Sequence, residues 1–192
     1  MLKQISALVA AATLGAALPA LAQSGMTDSK SMSMQQDPMV GGSAMYPSKN
    51  IVENAVNSKD HTTLVSLVKK AGLVDTLEGA GPFTVLAPTN EAFSALPQST
   101  VSKVTSDDAL LKKVLTYHVL PGRVTIADIQ SQIRAGGGTA HLKTVEGGTI
   151  TATMDGSKIA LAGAGGGKAE ITISNVYQSN GVIQVIDGVL LP

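Results

Sequence analysis

Few side chains in the sequence could do chemistry, and the pair that stands out is Tyr117-His118, at the end of an apolar-periodic run. At a helix C-terminus an imidazole N–H can satisfy a terminal carbonyl, and a cationic ring is favoured by the helix dipole. In that setting the pair supports the fold. Presented at the surface, the same residues would contact a ligand, and the sequence leaves both roles open.

A second candidate is soft-metal chemistry. Five of the seven methionines are Met26, Met32, Met34, Met39 and Met45, and thioether sulfurs suit Cu(I). Met32-Ser33-Met34 is the best local pair, Met39 extends it, and His61 offers one nitrogen. The alternative is that a Ser/Met/Gln-rich segment is only a flexible tether.

Nothing comparable points to catalysis. The chain has no cysteine, no H-E-x-x-H zinc motif and no G-x-S-x-G elbow, and its three histidines lie far apart. Gly163 to Lys168 (GAGGGK) invites comparison with a phosphate-binding loop. Yet Ala162 holds the first glycine position, Ala169 replaces Ser/Thr, and a strand follows where a helix is needed. Asp107-Asp108 is explained by the positive end of a helix better than by acid–base work. The expectation is a protein that is not an enzyme and needs no cofactor.

Composition bounds the partners. The 192 residues, 44% hydrophobic, suit one domain with extensions around a single core. Lys3, the apolar stretch Ile5 to Leu18, and Ala20-Leu21-Ala22 read as a signal peptide over residues 1–22, cleaved before Gln23. The apolar stretch is shorter than the ~20 residues of a spanning helix, so the mature chain is expected not to span a membrane. Without that segment the charge is 13 basic against 14 acidic residues, which argues against nucleic acid. Residues 23–45 show no apolar period and read as a disordered Met/Ser/Gln-rich tether.

Order is expected from about residue 46. Ser48 is a plausible N-cap for a helix carrying Ile51, Val52, Ala55 and Val56, and a second helix from about Asp60 ends at Gly72 as left-handed cap. Leu73 to Leu77 forms a further short turn. Phe83 to Leu86 is β-prone and stops at Pro88; Thr89 then caps a brief helix carrying Phe93. Ser106 caps the helix whose inward side holds Leu110, Leu111, Val114, Leu115 and His118, ending at Pro121-Gly122.

Beyond Gly138 short strands take over. Asp155-Gly156 is read as a hairpin turn that sets Ala152 opposite Ile159 and Ile150 opposite Leu161. Ala169 to Ser174 and Val182 to Ile186 are further strands, with Asn180-Gly181 and Asp187-Gly188 as turns. Helices first and strands later predict an α+β fold.

Three ordered segments carry a family resemblance: Gly81 to Phe93 (GPFTVLAPTNEAF), Tyr117 to Gly122 (YHVLPG) and Gly181 to Pro192 (GVIQVIDGVLLP). Together they resemble the fasciclin domain of exported bacterial proteins, over residues 46–192. The motif positions are Phe83, Pro88, Thr89, Asn90, Phe93, Gly122, Asp187 and Gly188. The resemblance implies a wedge of β-strands beside a layer of short helices, serving adhesion or surface binding without catalysis. In animal relatives a tyrosine-histidine pair and a following aspartate-isoleucine pair are linked to integrin binding. The matching positions here are Tyr117-His118 and Asp128-Ile129, the latter without the fuller animal motif.

The combined expectation is a secreted or periplasmic fasciclin-like module, monomeric or weakly self-associating. It would act through a surface protein, glycan or lipid. Its candidate contact regions are Tyr117 to Ile129 and the loop Gly163 to Gly167. The alternative is an envelope copper-binding protein using Met32, Met34 and Met39.

Overall fold

The computed structural model describes residues 37–192. In chain order these form β1 (Met39–Val40), β2 (Ser43–Ala44), α1 (Ile51–Ala55), a 3-10 turn (Lys59–His61), α2 (Thr62–Lys70) and α3 (Val74–Glu78). There follow β3 (Phe83–Pro88), α4 (Asn90–Ser94), α5 (Gln98–Ser106), α6 (Asp108–Tyr117), β4 (Val119–Pro121) and α7 (Ile126–Ala135). The chain ends in β5 (Thr139–Lys143), β6 (Thr149–Asp155), β7 (Lys158–Ala162), β8 (Lys168–Gln178) and β9 (Gly181–Ile186).

Seven strands make one sheet in the order β4-β3-β9-β8-β7-β6-β5. The β3 and β9 strands run parallel, Phe83 opposite Gly181 through Pro88 opposite Ile186, while every other pair in this sheet is antiparallel. A parallel central pair is expected to be buried on both faces and to read as a continuous apolar run. All six residues of β9 are buried.

The single core inferred from composition is instead two apolar clusters, and the alternation of strand side chains is the reason. Val85, Ala87, Ile183 and Val185 belong to a cluster with residues of α1 to α6; Leu86 and Ile186 belong to another with α7 and β5 to β8. The central pair thus feeds a helix-rich core and a sheet-rich core from one domain. This is the α+β architecture expected, strands beside short helices.

Several local expectations shift. Asn50, not Ser48, caps α1: its side chain accepts from the Glu53 N–H while Glu53 accepts from the Asn50 N–H, a capping box. Asp107 caps α6 by accepting from the Ala109 and Leu110 N–H groups, and Ser106 ends the preceding α5, a helix not anticipated. Gly72 takes the left-handed conformation after α2, at φ 67°. The β6–β7 hairpin pairs Ala152 with Leu161 and Asp155 with Lys158, so its turn is Gly156-Ser157. Gly156, at φ 60°, takes the first turn position, as a type II′ turn requires. A register change of two residues leaves each side chain on its expected face.

The signal peptide read over residues 1–22 and the tether as far as residue 36 lie outside the described residues. The rest of the expected tether is structured. Met39 and Val40 pair with Ala44 and Ser43, the intervening Gly41 and Gly42 have φ of 60° and 74°, and Met45 donates its N–H to the Pro38 carbonyl. Val40 and Met45 are buried in the helix-rich core, burial that composition averaged over the whole segment concealed.

Candidate functional site

The corner at Tyr117-His118 gathers four parts of the chain. Asp107 starts α6, whose buried face of Leu111, Val114 and Leu115 fixes its rotation, so that its last residues point inward. Tyr117 is 0% exposed. Its hydroxyl donates to the Thr149 carbonyl at 2.7 Å and accepts from the Ala164 N–H at 3.0 Å, joining α6 to β6 and to the glycine loop.

His118 lies beside it, also buried. The Leu190 N–H donates to Nε2 at 3.0 Å, and Nδ1 lies 2.8 Å from the Val114 carbonyl. A carbonyl can only accept and an N–H can only donate, so the neutral ring carries its proton on Nδ1. Burial pushes the His118 pKa down to about 4, against a smaller upward pull from the Val114 carbonyl. The cationic form suggested by the helix end is therefore replaced by a neutral tie between helix and C-terminal segment.

The loop Gly163 to Gly167 closes the same corner. A Cβ on Gly163 would lie 2.5 Å from the Leu191 carbonyl oxygen, on Gly165 2.8 Å from that of Pro192, and on Gly167 2.5 Å from that of Val189. Backbone approach to the last residues demands these glycines, within the irregular loop expected after Ala162, where Ala164, Gly165 and Gly166 are exposed.

Asp128 and Ile129 divide between cap and core. Asp128 accepts from the Thr125 N–H at 2.9 Å and from its hydroxyl at 2.7 Å, while Thr125 accepts from the Asp128 N–H, closing the capping box of α7. Those two donors hold the Asp128 carboxyl below the usual range. Ile129 is fully buried in the sheet-rich core, the cluster that also holds Tyr117. Of the four adhesion candidates only Asp128 reaches solvent.

The proposed metal ligands are not brought together in what is described. Met32 and Met34 lie outside the described residues, Met39 is 60% exposed, and Met45 is buried. His61 is buried too, its Nδ1 2.8 Å from the Ser58 hydroxyl and its Nε2 without a hydrogen-bond partner. Burial lowers its pKa, opposed by the Ala87 carbonyl and Asp60. His61 and Met45 line one cavity of about 10 Å³, roughly the room of a single water.

Sequence reasoning missed a surface pair. The Arg123 guanidinium lies over the Tyr177 ring, 6.0 Å from its centroid, and Tyr177 is 37% exposed. Arg123 also borders an open depression formed by Ala80, Gly81, Pro82, Ser179 and Asn180. Asn180 is held firmly, its amide donating to the Leu77 and Gly79 carbonyls and its oxygen accepting from the Ile51 N–H. No local sequence signal marks this patch, because Arg123 and Tyr177 stand 54 residues apart and only the fold brings them together.

The family model for the fasciclin domain matches residues 59–192. The chain belongs to the fasciclin family. It is 38% identical over 160 residues to protein sll1483 of Synechocystis, covering 82% of each chain. It is 31% identical over 159 residues to the cell surface glycolipoprotein MPB83 of Mycobacterium bovis, covering 83% of this chain and 62% of that one. Among solved structures it is similar to the FAS1 domain pair of the insect cell adhesion molecule fasciclin I. There the TM-score is 0.55 at 24% identity, over 67% of this chain and 44% of the other, a likeness in fold.

Within this fasciclin domain the remaining motif residues have structural work. Thr89 caps α4 by accepting from the Ala92 N–H, and Phe93 packs on the helix-rich core. Asn90 accepts from the Thr63 N–H and donates to the Lys59 carbonyl, clamping α4 to the start of α2. Thr84 donates to the Gly122 carbonyl, and Gly122 has φ 87°. Asp187 accepts from the Glu170 N–H. At Gly188 an added Cβ would lie 2.2 Å from the Lys168 carbonyl oxygen, so close approach, not a left-handed turn, requires the glycine. No helix of the described residues is long and apolar enough to cross a membrane.

Proposed function

We propose that this fasciclin domain is an exported, non-enzymatic adhesion or surface-binding module of a bacterial envelope, and that it binds through the face carrying Arg123 and Tyr177. The observation that carries the choice of face is this exposed guanidinium–aromatic pair beside the rigid depression at Pro82 and Asn180. Tyrosine and arginine dominate the energetics of protein contacts, because each offers a large, stiff surface with polar ends. Export to a secreted or periplasmic location is supported by the signal-peptide pattern of residues 1–22. A surface role is supported by the similarity to a cell surface glycolipoprotein and, in fold, to an insect cell adhesion molecule.

The partner is a surface protein, glycan or lipid, met by a monomer or a weakly associating form. The deciding experiment is attachment and biofilm formation by a deletion strain complemented with the wild-type chain or with Arg123→Ala/Tyr177→Ala. Restoration by wild type but not by the double variant, at equal abundance and melting temperature, supports both role and face. Equal restoration by both moves the contact elsewhere; an attachment phenotype absent from the deletion strain overturns the adhesive role.

A further inference from the structure

Arg123 and Tyr177 come from separate segments, and one residue, Asn175, acts on both. Tyr177 lies in β8. Between the pairs Ile173–Val185 and Val176–Ile183, β8 advances three residues while β9 advances two, so β8 carries one extra residue, a β-bulge. Successive strand residues alternate between faces, and a regular strand would put Ile173 and Val176 on opposite sides. The extra residue lets both pack in the helix-rich core. It also turns Tyr177 away: on a regular strand Tyr177 would share the face of Ile173, whereas here it is exposed beneath the Arg123 guanidinium. Asn175 sits in the bulge at φ 56°, the one residue other than glycine with positive φ among those described. Asparagine is among the few side chains that tolerate this conformation.

The side chain of Asn175 reaches the other half of the pair. Its Oδ1 accepts from the Ile126 N–H at 2.9 Å and from Gln184 Nε2 at 3.3 Å, while its own N–H donates to Gln184 Oε1 at 2.9 Å. Gln184 is buried in β9, and its Nε2 also donates to the Val124 carbonyl at 3.1 Å. From β3, the buried Thr84 hydroxyl accepts from the Val124 N–H and donates to the Gly122 carbonyl, each at 2.7 Å. The backbone on both sides of Arg123 is therefore held by side chains of the sheet. A contact group fixed in this way loses little freedom on binding. We infer that Asn175 is the positioning residue of the binding face: its bulge sets Tyr177 outward, and its side chain ties down the segment carrying Arg123, so that the pair is formed before any partner arrives. The inference rests on the role proposed for Arg123 and Tyr177.

Two variants separate backbone from side chain. Asn175→Gly keeps the left-handed conformation and removes the acceptor; Asn175→Asp keeps an acceptor for the Ile126 N–H and Gln184 Nε2. The first readout is the ring-current shift that Tyr177 imposes on the Arg123 side-chain protons, measured by NMR on the full domain with Tyr177→Leu as the zero. Asn175→Gly is expected to lose most of that shift and to speed amide exchange at Ile126, while Asn175→Asp retains both. Val104→Ala, in α5 away from the pair, controls for lost stability and leaves the shift unchanged. A wild-type shift in Asn175→Gly overturns the inference, and so does an equal loss in Asn175→Asp and Asn175→Gly. The second readout is attachment by the complemented deletion strain at equal protein abundance. Asn175→Gly should fall to the level of Arg123→Ala/Tyr177→Ala, and Asn175→Asp should restore attachment as wild type does. If the double variant fails and Asn175→Gly succeeds, the inference falls and the choice of face stands. If the double variant succeeds, the choice of face falls, and the Arg123 shift alone decides whether Asn175 positions the pair.

Discussion

The Leu190 N–H donates to His118 Nε2 at 3.0 Å across 72 residues of chain. This bond fixes the last apolar segment against the end of α6, and it explains why a tyrosine-histidine pair sits where a ligand site is expected. The ring is saturated by the fold: one nitrogen gives, the other receives, and neither faces solvent. His118→Ala should leave the Leu190 N–H and the Val114 carbonyl buried without partners and open a void. A loss of about 3 kcal/mol is expected, read as a shift of the urea midpoint. An unchanged midpoint would return the residue to the surface role.

The same bond makes stability depend on pH. The folded ring is neutral with a pKa of about 4, and the unfolded ring titrates near 6.5. Below 6.5 the unfolded state therefore binds the extra proton and gains on the native state. His118's contribution is complete above about pH 6.5 and is lost progressively down to about pH 4, for a total of ~3 kcal/mol. Burial lowers the His61 pKa as well and acts in the same direction. Denaturation series between pH 7 and 4 should show this slope in the wild type and a flatter one in His118→Gln.

Tyr117→Phe isolates the hydroxyl. The variant keeps the ring in the sheet-rich core but strips partners from the Thr149 carbonyl and the Ala164 N–H. A cost of about 1–2 kcal/mol is expected. Amide exchange at Ala164 should accelerate more than at Ile150, because the loop loses its anchor while β6 keeps its ladder. Uniform acceleration would mean that the hydroxyl does not hold the loop in particular.

How much of this was legible in sequence depended on whether the signal was local. Thr89 as cap, Gly72 as left-handed terminator and the β6–β7 hairpin all rest on neighbours a few residues away; the first two are found as expected, and the hairpin is found with its turn moved one residue to Gly156-Ser157. The α5 helix, Gln98–Ser106, was missed because Val104 is its only buried residue, too little for an apolar period. Reading β8 only to Ser174 stopped at its irregular part: the pairing with β9 shifts register on either side of Ile173, and Asn175 adopts φ 56°. At the candidate site, Tyr117 and His118 stood out by type, but their burial is set by Thr149, Ala164 and Leu190, distant partners that no spacing rule connects. The Arg123–Tyr177 pair was invisible for the same reason.

Gly188→Ala tests the other end of the C-terminal segment. The added methyl would meet the Lys168 carbonyl oxygen at 2.2 Å, with backbone and side-chain atoms of Ala169 at 3.1 Å, so β8 and the segment after β9 must separate. A destabilisation of about 2–4 kcal/mol is expected. Gly166→Ala serves as the comparison, because its Cβ meets nothing within 4 Å and only its φ of 88° is unfavourable. That variant should lose about 1 kcal/mol. Equal losses in thermal melts would contradict the close-approach account.

Asp128 is the one adhesion candidate that reaches solvent, so its two possible roles can be separated. In the fold its carboxylate closes the capping box with Thr125. Asp128→Ala should lower the melting temperature slightly, whereas Asp128→Asn, which keeps an acceptor for the Thr125 N–H, should recover part of the loss. If capping is its whole role, both variants restore attachment to a deletion strain as well as wild type does. Loss of attachment in both, with the Asn variant nearly as stable as wild type, would instead make the carboxylate a contact residue. The binding face would then extend from Arg123 along the start of α7.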